Sequence, residues 1–450
     1  MRCFLVEKSP GTDAALENRK DMQAKLTARN QRLDILRGVA ILLVLGRHHD
    51  TIPLWSRMGW AGVDLFFVLS GFLISGLLFS EYKKYGRIDI KRFWIRRGFK
   101  IYPPFYALML LTILYSLIRY RTVSRAVLGD LFFLQNYISC IWTHGWSLAV
   151  EEHFYVLLPL LLLLMIWVSR DKENPFRAIP MVSIALTIAC LYQRIQVASR
   201  PGVDWDNVMF PTHLRVDSLF AGVVLGYYNH FRPDVLKQSS RPALLVGGFA
   251  LLIPALLFGN IVFVGTVGLM LVFLGFSCIL MASVTGKASK NIVARALAGI
   301  GYYSYSIYLW HAVPNYLFFP ELHLSLIRFA IYVISAVALG IVMSRLIESP
   351  SLVLRDRWFL SRAQATIAAS ENRSARIFAQ QDISPPIGNS QSQRIMRWCK
   401  QLYSPPSEPP FQSLSIGKSS SLAINPKGNV GTSQPVSTNV QHPLIQRDAK

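Results

Sequence analysis

Hydrophobic residues in this chain gather in long runs rather than in short amphipathic patches. Stretches such as FYVLLPLLLLLMIWV, LLVGGFALLIPALLFG and IVFVGTVGLMLVFLGFSCILMASV approach or exceed the roughly 20 apolar residues a helix needs to cross a ~30 Å hydrocarbon layer. Followed from end to end, the pattern predicts ten helical spans, at about 33–49, 60–80, 101–118, 147–168, 178–196, 213–230, 243–259, 261–283, 300–318 and 325–347. Lipid offers backbone amides and carbonyls no partners, so such spans satisfy themselves internally as an all-α polytopic transmembrane helix bundle. The first span is the weakest of the ten, because Arg37 interrupts it.

Composition agrees with the pattern. Of 450 residues, 52% are hydrophobic and only 16% charged, too apolar for an ordinary soluble protein of this length. The formal net charge of +22 raises the question of nucleic acid, but the basic residues sit beside the spans. With the N-terminus inside, inner connections carry about twice as many Lys and Arg as outer ones, densest over Arg87, Lys91, Arg92, Arg96, Arg97 and Lys100. Both termini are therefore expected in the cytoplasm, with anionic lipid rather than nucleic acid answering the charge. The five cysteines, Cys3, Cys140, Cys190, Cys278 and Cys399, show no CxxC spacing, and neither a disulfide nor a metal site is expected. Residues 1–31 lack the apolar centre of a signal peptide and read as a cytoplasmic extension. Residues 32–350 form the membrane domain, and 351–450 read as a disordered Ser/Pro/Gln-rich cytoplasmic tail without a catalytic role.

Polar residues inside the apolar runs carry the candidate chemistry. In RGVAILLVLGRHHD, Arg37 and His48 lie eleven residues apart, close to three helical turns, so both project from one face roughly 16 Å apart. A snorkelling arginine and a solvated loop are the plain alternative. In WSLAVEEHFY, Ser147, Glu151 and Tyr155 recur every four residues at the predicted outer end, where a cap and a helix dipole would also favour them. RVDSLFAG places Arg215 and Asp217 at the same level, a spacing that a structural ion pair explains equally well. GYYSYSIYLWH aligns Ser304, Tyr308 and His311, although a histidine among aromatics is more often a satisfied core group. Four separate spans placing polar groups at one level make a shared site the better reading. On the inner side, RFWIRRGFKIYPP offers Arg92, Arg96, Arg97 and Lys100 with Trp94 and Phe99 between them, a set able to hold phosphates and stack a base. The positive-inside rule alone is its alternative. No P-loop or GxGxxG occurs there.

Taken in order, RLDILRGVAILLVLGRHH, GVDLFFVLSGFLIS, FWIRRGFKIYPPFY, WSLAVEEHFYVLLPLL, RVDSLFAGVVLG and GYYSYSIYLWH resemble the blocks of the acyltransferase 3 family, bacterial integral-membrane O-acyltransferases that modify surface polysaccharides. The resemblance covers about residues 32–350. It implies a multi-pass protein of the inner membrane that moves an acyl group, expected to be acetyl, from an acyl-CoA thioester to a carbohydrate hydroxyl. Acetyl-CoA is then a substrate, and neither a metal nor a permanently bound cofactor is expected. The family's arginine and histidine pattern falls on Arg37 and His48. Its paired-arginine signature falls on Arg97 and position 100, where Lys100 keeps the charge but loses the planar fork. The WSLxxExxFY pattern is complete at Trp146, Ser147, Glu151, Phe154 and Tyr155, while His153 stands where many members have glutamine.

A hydroxyl is a weak nucleophile at neutral pH, so a base within hydrogen-bond reach is useful; His48 suits that role, and Glu151 would orient it or stabilise its protonated form. Arg37 would hold the donor or steady oxyanion charge, and Ser147 would position the acceptor or carry the acyl group. Arg96, Arg97 and Lys100 would contact donor phosphates. Asp64, Tyr155, Arg215, Asp217, Ser304 and His311 form the acceptor-side or supporting set. A secondary transporter of a glycan or small polar substrate is the alternative function, though broken helices and repeats would be its usual signature. Direct and relayed acyl transfer both remain open, as does the oligomeric state. Reporter fusions after Lys100 and within residues 200–210 should report opposite faces of the membrane; the same face for both would overturn the ten-span topology.

Overall fold

The computed structural model describes residues 31–48, 52–258, 260–285, 289, 291–318 and 326–359, all within the first of two contact units, Met1–Ser370. Among them the long elements are α1 (31–47), α2 (Ala61–Tyr85), α3 (Ile90–Tyr120), α4 (Trp146–Val168), α5 (Ile179–Ala198) and α6 (Val216–Phe231). They continue as α7 (Arg241–Leu257), α8 (Leu269–Thr285), α9 (Ile292–Tyr302), α10 (Ser304–Trp310), α11 (Ala312–Phe318), α12 (Leu326–Met343) and α13 (Ser349–Trp358). The described residues contain no strand, as the apolar patterning requires.

Helices occur at every place the pattern indicated, but among the described residues six stretches are long and apolar enough to cross a membrane: Pro53–Tyr85, Ile90–Tyr120, Thr143–Val168, Ile179–Ala198, Ile261–Val284 and Leu326–Trp358. The expected ninth span breaks into α9, α10 and α11, while α6 and α7 stop at 16 and 17 residues. Large apolar side chains such as Leu157, Leu164, Ile184 and Ile188 stay exposed on the outside of the bundle, the surface a lipid solvent covers. Two boundaries differ from expectation. The third span starts eleven residues early, because the Asp89 carboxylate caps Ile90–Tyr120 by accepting from Arg92 N at 3.0 Å, so the basic cluster is helical. Residues 351–358, expected to open the disordered tail, continue as α13 packed on α3; the rest of the tail and residues 1–30 lie outside the described residues.

Prolines inside α3 and α4 explain part of that packing. Pro103 has no N–H for the carbonyl of Phe99, and Ser351 Oγ from α13 donates to that oxygen at 2.5 Å. Pro159 likewise orphans the carbonyl of Tyr155, and Trp94 Nε1 from α3 donates to it at 2.9 Å. Trp94 is thus spent on backbone, and Phe99 packs against Trp358 and Phe359, so neither ring is the adenine platform the sequence invited.

Between α2 and α6 the backbones nearly touch: a Cβ on Gly71 would run into the Leu219 carbonyl, and one on Gly222 into the Val68 carbonyl. That closeness brings two ion pairs into the interior. Arg215 Nη2 meets Asp64 Oδ1 at 2.9 Å, and Arg194 Nη2 meets Asp217 Oδ2 at 2.8 Å, with all four side chains at most 1% exposed. Ser218 Oγ donates to Asp64 Oδ1 at 3.0 Å, Arg194 Nη1 donates to the Leu214 carbonyl at 2.8 Å, and the Arg215 guanidinium faces the Phe67 and Trp146 rings. Asp64, Arg215 and Asp217 therefore hold α2, α5 and α6 together instead of meeting an acceptor. Arg194 and Arg215 also leave the tally of outer-loop cations.

Removing one partner of such a pair strands a buried charge, at a cost of about 3–5 kcal/mol. Asp217→Ala should accordingly lower thermal stability in detergent by that amount. The double change Arg194→Met with Asp217→Leu should recover most of the loss, and equal stability of Asp217→Ala and the parent chain would refute the clamp.

Candidate functional site

One cleft gathers most of the residues singled out above. Arg37 of α1, Ser70 of α2, Arg97 and Lys100 of α3, Ser147, Glu151, Glu152 and Tyr155 of α4, and Ser304, Tyr305 and Tyr308 of α10 line it. The cleft encloses about 910 Å³ between its walls, open mouth included. Its polar stripe follows α4, whose residues 147, 151 and 155 recur every 3.6-residue turn, so Tyr155 and Ser147 mark points about 12 Å apart along one helix face.

At the Tyr155 end, the phenol donates to Glu151 Oε2 at 2.7 Å and lies 2.7 Å from Ser70 Oγ. Arg97 Nη2 donates to the same phenol oxygen, and the guanidinium lies 4.3 Å from the ring centroid. Arg37 Nη1 is 3.0 Å from Asp34 Oδ1 and still reaches the cleft wall with its side chain 30% exposed. Lys100 lines the cleft beside these two and makes no hydrogen bond or ion pair among the described residues. Three cations thus share one wall, and Lys100 has the Glu348 and Asp34 carboxylates nearby but no direct ion-pair contact with either, an arrangement to which an anion can add. Glu152, on the opposite flank, accepts from Tyr102 Oη at 3.1 Å.

At the other end Ser147 Oγ lies 2.6 Å from Tyr308 Oη, which donates to the His144 carbonyl at 2.6 Å. Just past it, the His311 ring centroid is 4.9 Å from that of His48 and 4.9 Å from that of His144. His311 is fully buried, while His48 is exposed immediately after α1.

Several expectations change with this geometry. His48 does not line the cleft, and Glu151 is held by Tyr155, so the expected partnership of His48 with Glu151 gives way to one of His48 with His311. The helical phase that aligns Arg37 with His48 is real, but eleven residues of rise carry the two side chains to different ends of the site. Arg96 points away from the cleft: it pairs with Asp356 at 3.1 Å and donates to the Phe359 carbonyl, tying α3 to α13. Arg37, Arg97, Lys100, Ser147, Glu151, Tyr155 and Ser304 do come together. His153, left unassigned by the sequence, shares Thr212 Oγ1 with Asn136 in a polar knot below the 133–137 loop.

Ser70, Glu152 and His144 were not in the sequence-derived set, whereas Tyr308 was already aligned there with Ser304 and His311. Ser70 is a lone hydroxyl in an apolar run and gives no signal of its own. His144, three residues before Ser147 in THGWS, was visible but belonged to no periodic stripe, because it precedes the helix in a separate turn.

Comparison with known proteins follows the same blocks. The family model described as an acyltransferase domain matches residues 30–345. Peptidoglycan O-acetyltransferase OatA of Listeria monocytogenes is 28% identical over 316 residues, which is 62% of this chain and 48% of that protein. A Bacillus subtilis protein, YrhL, provisionally named as a peptidoglycan O-acetyltransferase, is 29% identical over 317 residues, 62% of this chain and 47% of its own. A Staphylococcus aureus protein provisionally named as an O-acetyltransferase is 28% identical over 340 residues, 66% and 54% respectively. The chain spans about half the length of these curated relatives. No solved structure matches. With more than half of its length matched by that model, this multi-helix membrane protein belongs to the acyltransferase 3 family.

Proposed function

We propose that the protein is a membrane O-acyltransferase that takes an acetyl group from acetyl-CoA and delivers it to a hydroxyl of peptidoglycan or a similar envelope carbohydrate. The observation that carries this reading is the cleft in which Arg37, Arg97 and Lys100 stand at one end of a stripe that ends in Ser147 and Tyr308. Coenzyme A is a polyanion at one end and a thioester at the other, and a cationic wall followed by hydroxyl and carboxyl groups suits that order of chemistry. The relatives' names supply the acceptor class, and the inner bias of basic residues supplies the side from which donor enters.

In this reading Lys100 and Arg97 bind donor phosphates, with Tyr155, Glu151 and Ser70 keeping the Arg97 fork in place. Arg37 steadies the donor or the oxyanion that forms when the acceptor oxygen attacks the thioester carbon. Ser147 and Tyr308 position the acyl group at the far end of the cleft, and His48 removes the acceptor's proton. The secondary-transporter alternative finds its broken helix in α9 to α11, but a transporter would leave the thioester intact.

Titration of the purified full chain with coenzyme A should show Lys100→Ala binding about tenfold more weakly, in line with the loss of one charge-assisted hydrogen bond of about 1.5–3 kcal/mol. Lys100→Arg, which supplies a fork, should bind at least as tightly as the parent, and Arg97→Ala should lose more than tenfold. Undiminished affinity in both alanine variants would remove this wall from the donor site.

The reaction itself is checked by incubating the full chain in lipid with acetyl-CoA and muropeptides, following free coenzyme A and O-acetyl groups on the glycan by mass spectrometry. Acetyl-CoA left intact with every carbohydrate acceptor supplied would favour the transporter.

A further inference from the structure

Beyond the cleft the structure holds three imidazoles that come from α1, from the turn before α4 and from the end of α10. The tautomers of two are dictated by their partners. His311 Nδ1 lies 2.5 Å from the Tyr308 carbonyl oxygen, and a carbonyl only accepts, so Nδ1 carries the hydrogen. That leaves Nε2 as a bare lone pair, and this atom is buried without a hydrogen-bond partner. His144 is fixed the other way round: Nε2 donates to the Leu309 carbonyl at 3.3 Å, so Nδ1 is its bare nitrogen. The His48 and His144 rings each lie 4.9 Å, centroid to centroid, from the His311 ring, which is their common neighbour.

A buried acceptor with no donor is costly and calls for an explanation. A structural histidine would spend both nitrogens on protein groups; His311 spends Nδ1, and its buried Nε2 has no protein partner among the described residues. The hydrogen-bond partners of His311 and His144 are carbonyls rather than carboxylates, so no fixed negative charge orients the group as in a Ser-His-Asp arrangement. A second imidazole takes that place. Like charges at this spacing repel, so beyond the one hydrogen each neutral ring already carries, the three rings together hold at most one added proton.

We propose that His311, backed by His144, is a proton-holding positioning residue for His48: its bare Nε2 receives the proton that His48 draws from the acceptor hydroxyl. The proposal rests on the acyl-transfer reading. As the acceptor O–H bond breaks, its oxygen bonds to the acyl carbon and the C–S bond opens with its electron pair on sulfur. The proton passes from the hydroxyl to His48, is held on His311, and returns to the departing thiolate, so the enzyme ends the turnover as it began.

The first test needs no turnover. In the full chain labelled with 15N-histidine, the signal lost in His311→Gln should be that of a neutral ring protonated at Nδ1; a ring protonated at Nε2 overturns the proposal. The second test is kinetic, with acetyl-CoA and muropeptides. His311→Gln, which can hydrogen-bond but cannot hold a proton, should lose more than tenfold in kcat, while KM for acetyl-CoA stays within about twofold. His144→Gln, a change at a less buried ring, should show the same split with a smaller loss and serves if His311→Gln fails to fold. Wild-type kcat in both variants overturns the relay and leaves acyl transfer standing. A parent chain that binds coenzyme A but never releases it from acetyl-CoA overturns the acyl-transfer reading, and the proton role falls with it.

Discussion

Charge inside an apolar bundle is tolerated only with counter-charge beside it, and the pairs of Asp64 with Arg215 and Arg194 with Asp217 set the frame on which the site is built. They connect α2, α5 and α6 at the level where Gly71 and Gly222 already let two backbones touch. The Arg215 guanidinium also lies over the Trp146 ring, the first residue of α4, so the same pair fixes the start of the helix that bears Ser147, Glu151 and Tyr155. The cleft owes its register to this arrangement: α4 cannot slide or rotate without exposing a buried cation.

The prolines act in the same sense from the other side. Pro103 and Pro159 each remove a backbone donor, and the carbonyl so orphaned is answered from a neighbouring helix, by Ser351 for Phe99 and by Trp94 for Tyr155. In lipid, an unanswered carbonyl is too costly to leave, so a proline that would merely kink a soluble helix becomes a point of attachment between helices. Trp94 thereby ties α3 to α4 at the residue whose phenol meets Arg97, which keeps the cationic wall and the acidic stripe in contact. The cationic end of the cleft is accordingly tied to both helices. At the far end the helices are short and broken, and the site meets the histidine trio through a single hydroxyl contact, Ser147 to Tyr308.

Legibility in the sequence varied with the range of the interaction. The Ser147, Glu151 and Tyr155 stripe was readable because a helix repeats every 3.6 residues and needs no tertiary information. The same logic aligned Arg37 with His48 but could not say that their shared face meets two different partners along its length. Arg215 and Asp217 looked like site residues and like an ion pair with equal force; their actual partners, Asp64 and Arg194, are 151 residues and 23 residues away respectively. Arg96 and Arg97 are adjacent and chemically identical, yet one faces Tyr155 and the other Asp356.

The sequence by itself determined that the chain is helical and membrane-embedded, which segments are apolar enough to be buried, where a basic cluster lies along the chain, and which family its ordered blocks resemble. These follow from composition and local periodicity, which are properties of the chain before it folds. Tertiary structure alone decided which charges neutralise each other, which cations line the cleft, and that His48 meets His311 rather than Glu151. The physical reason is that pairing energy inside a bundle depends on which helix faces come within a few ångströms, and helix neighbours far apart in sequence are selected by packing, through glycines, proline-orphaned carbonyls and buried charge, none of which acts until the helices meet.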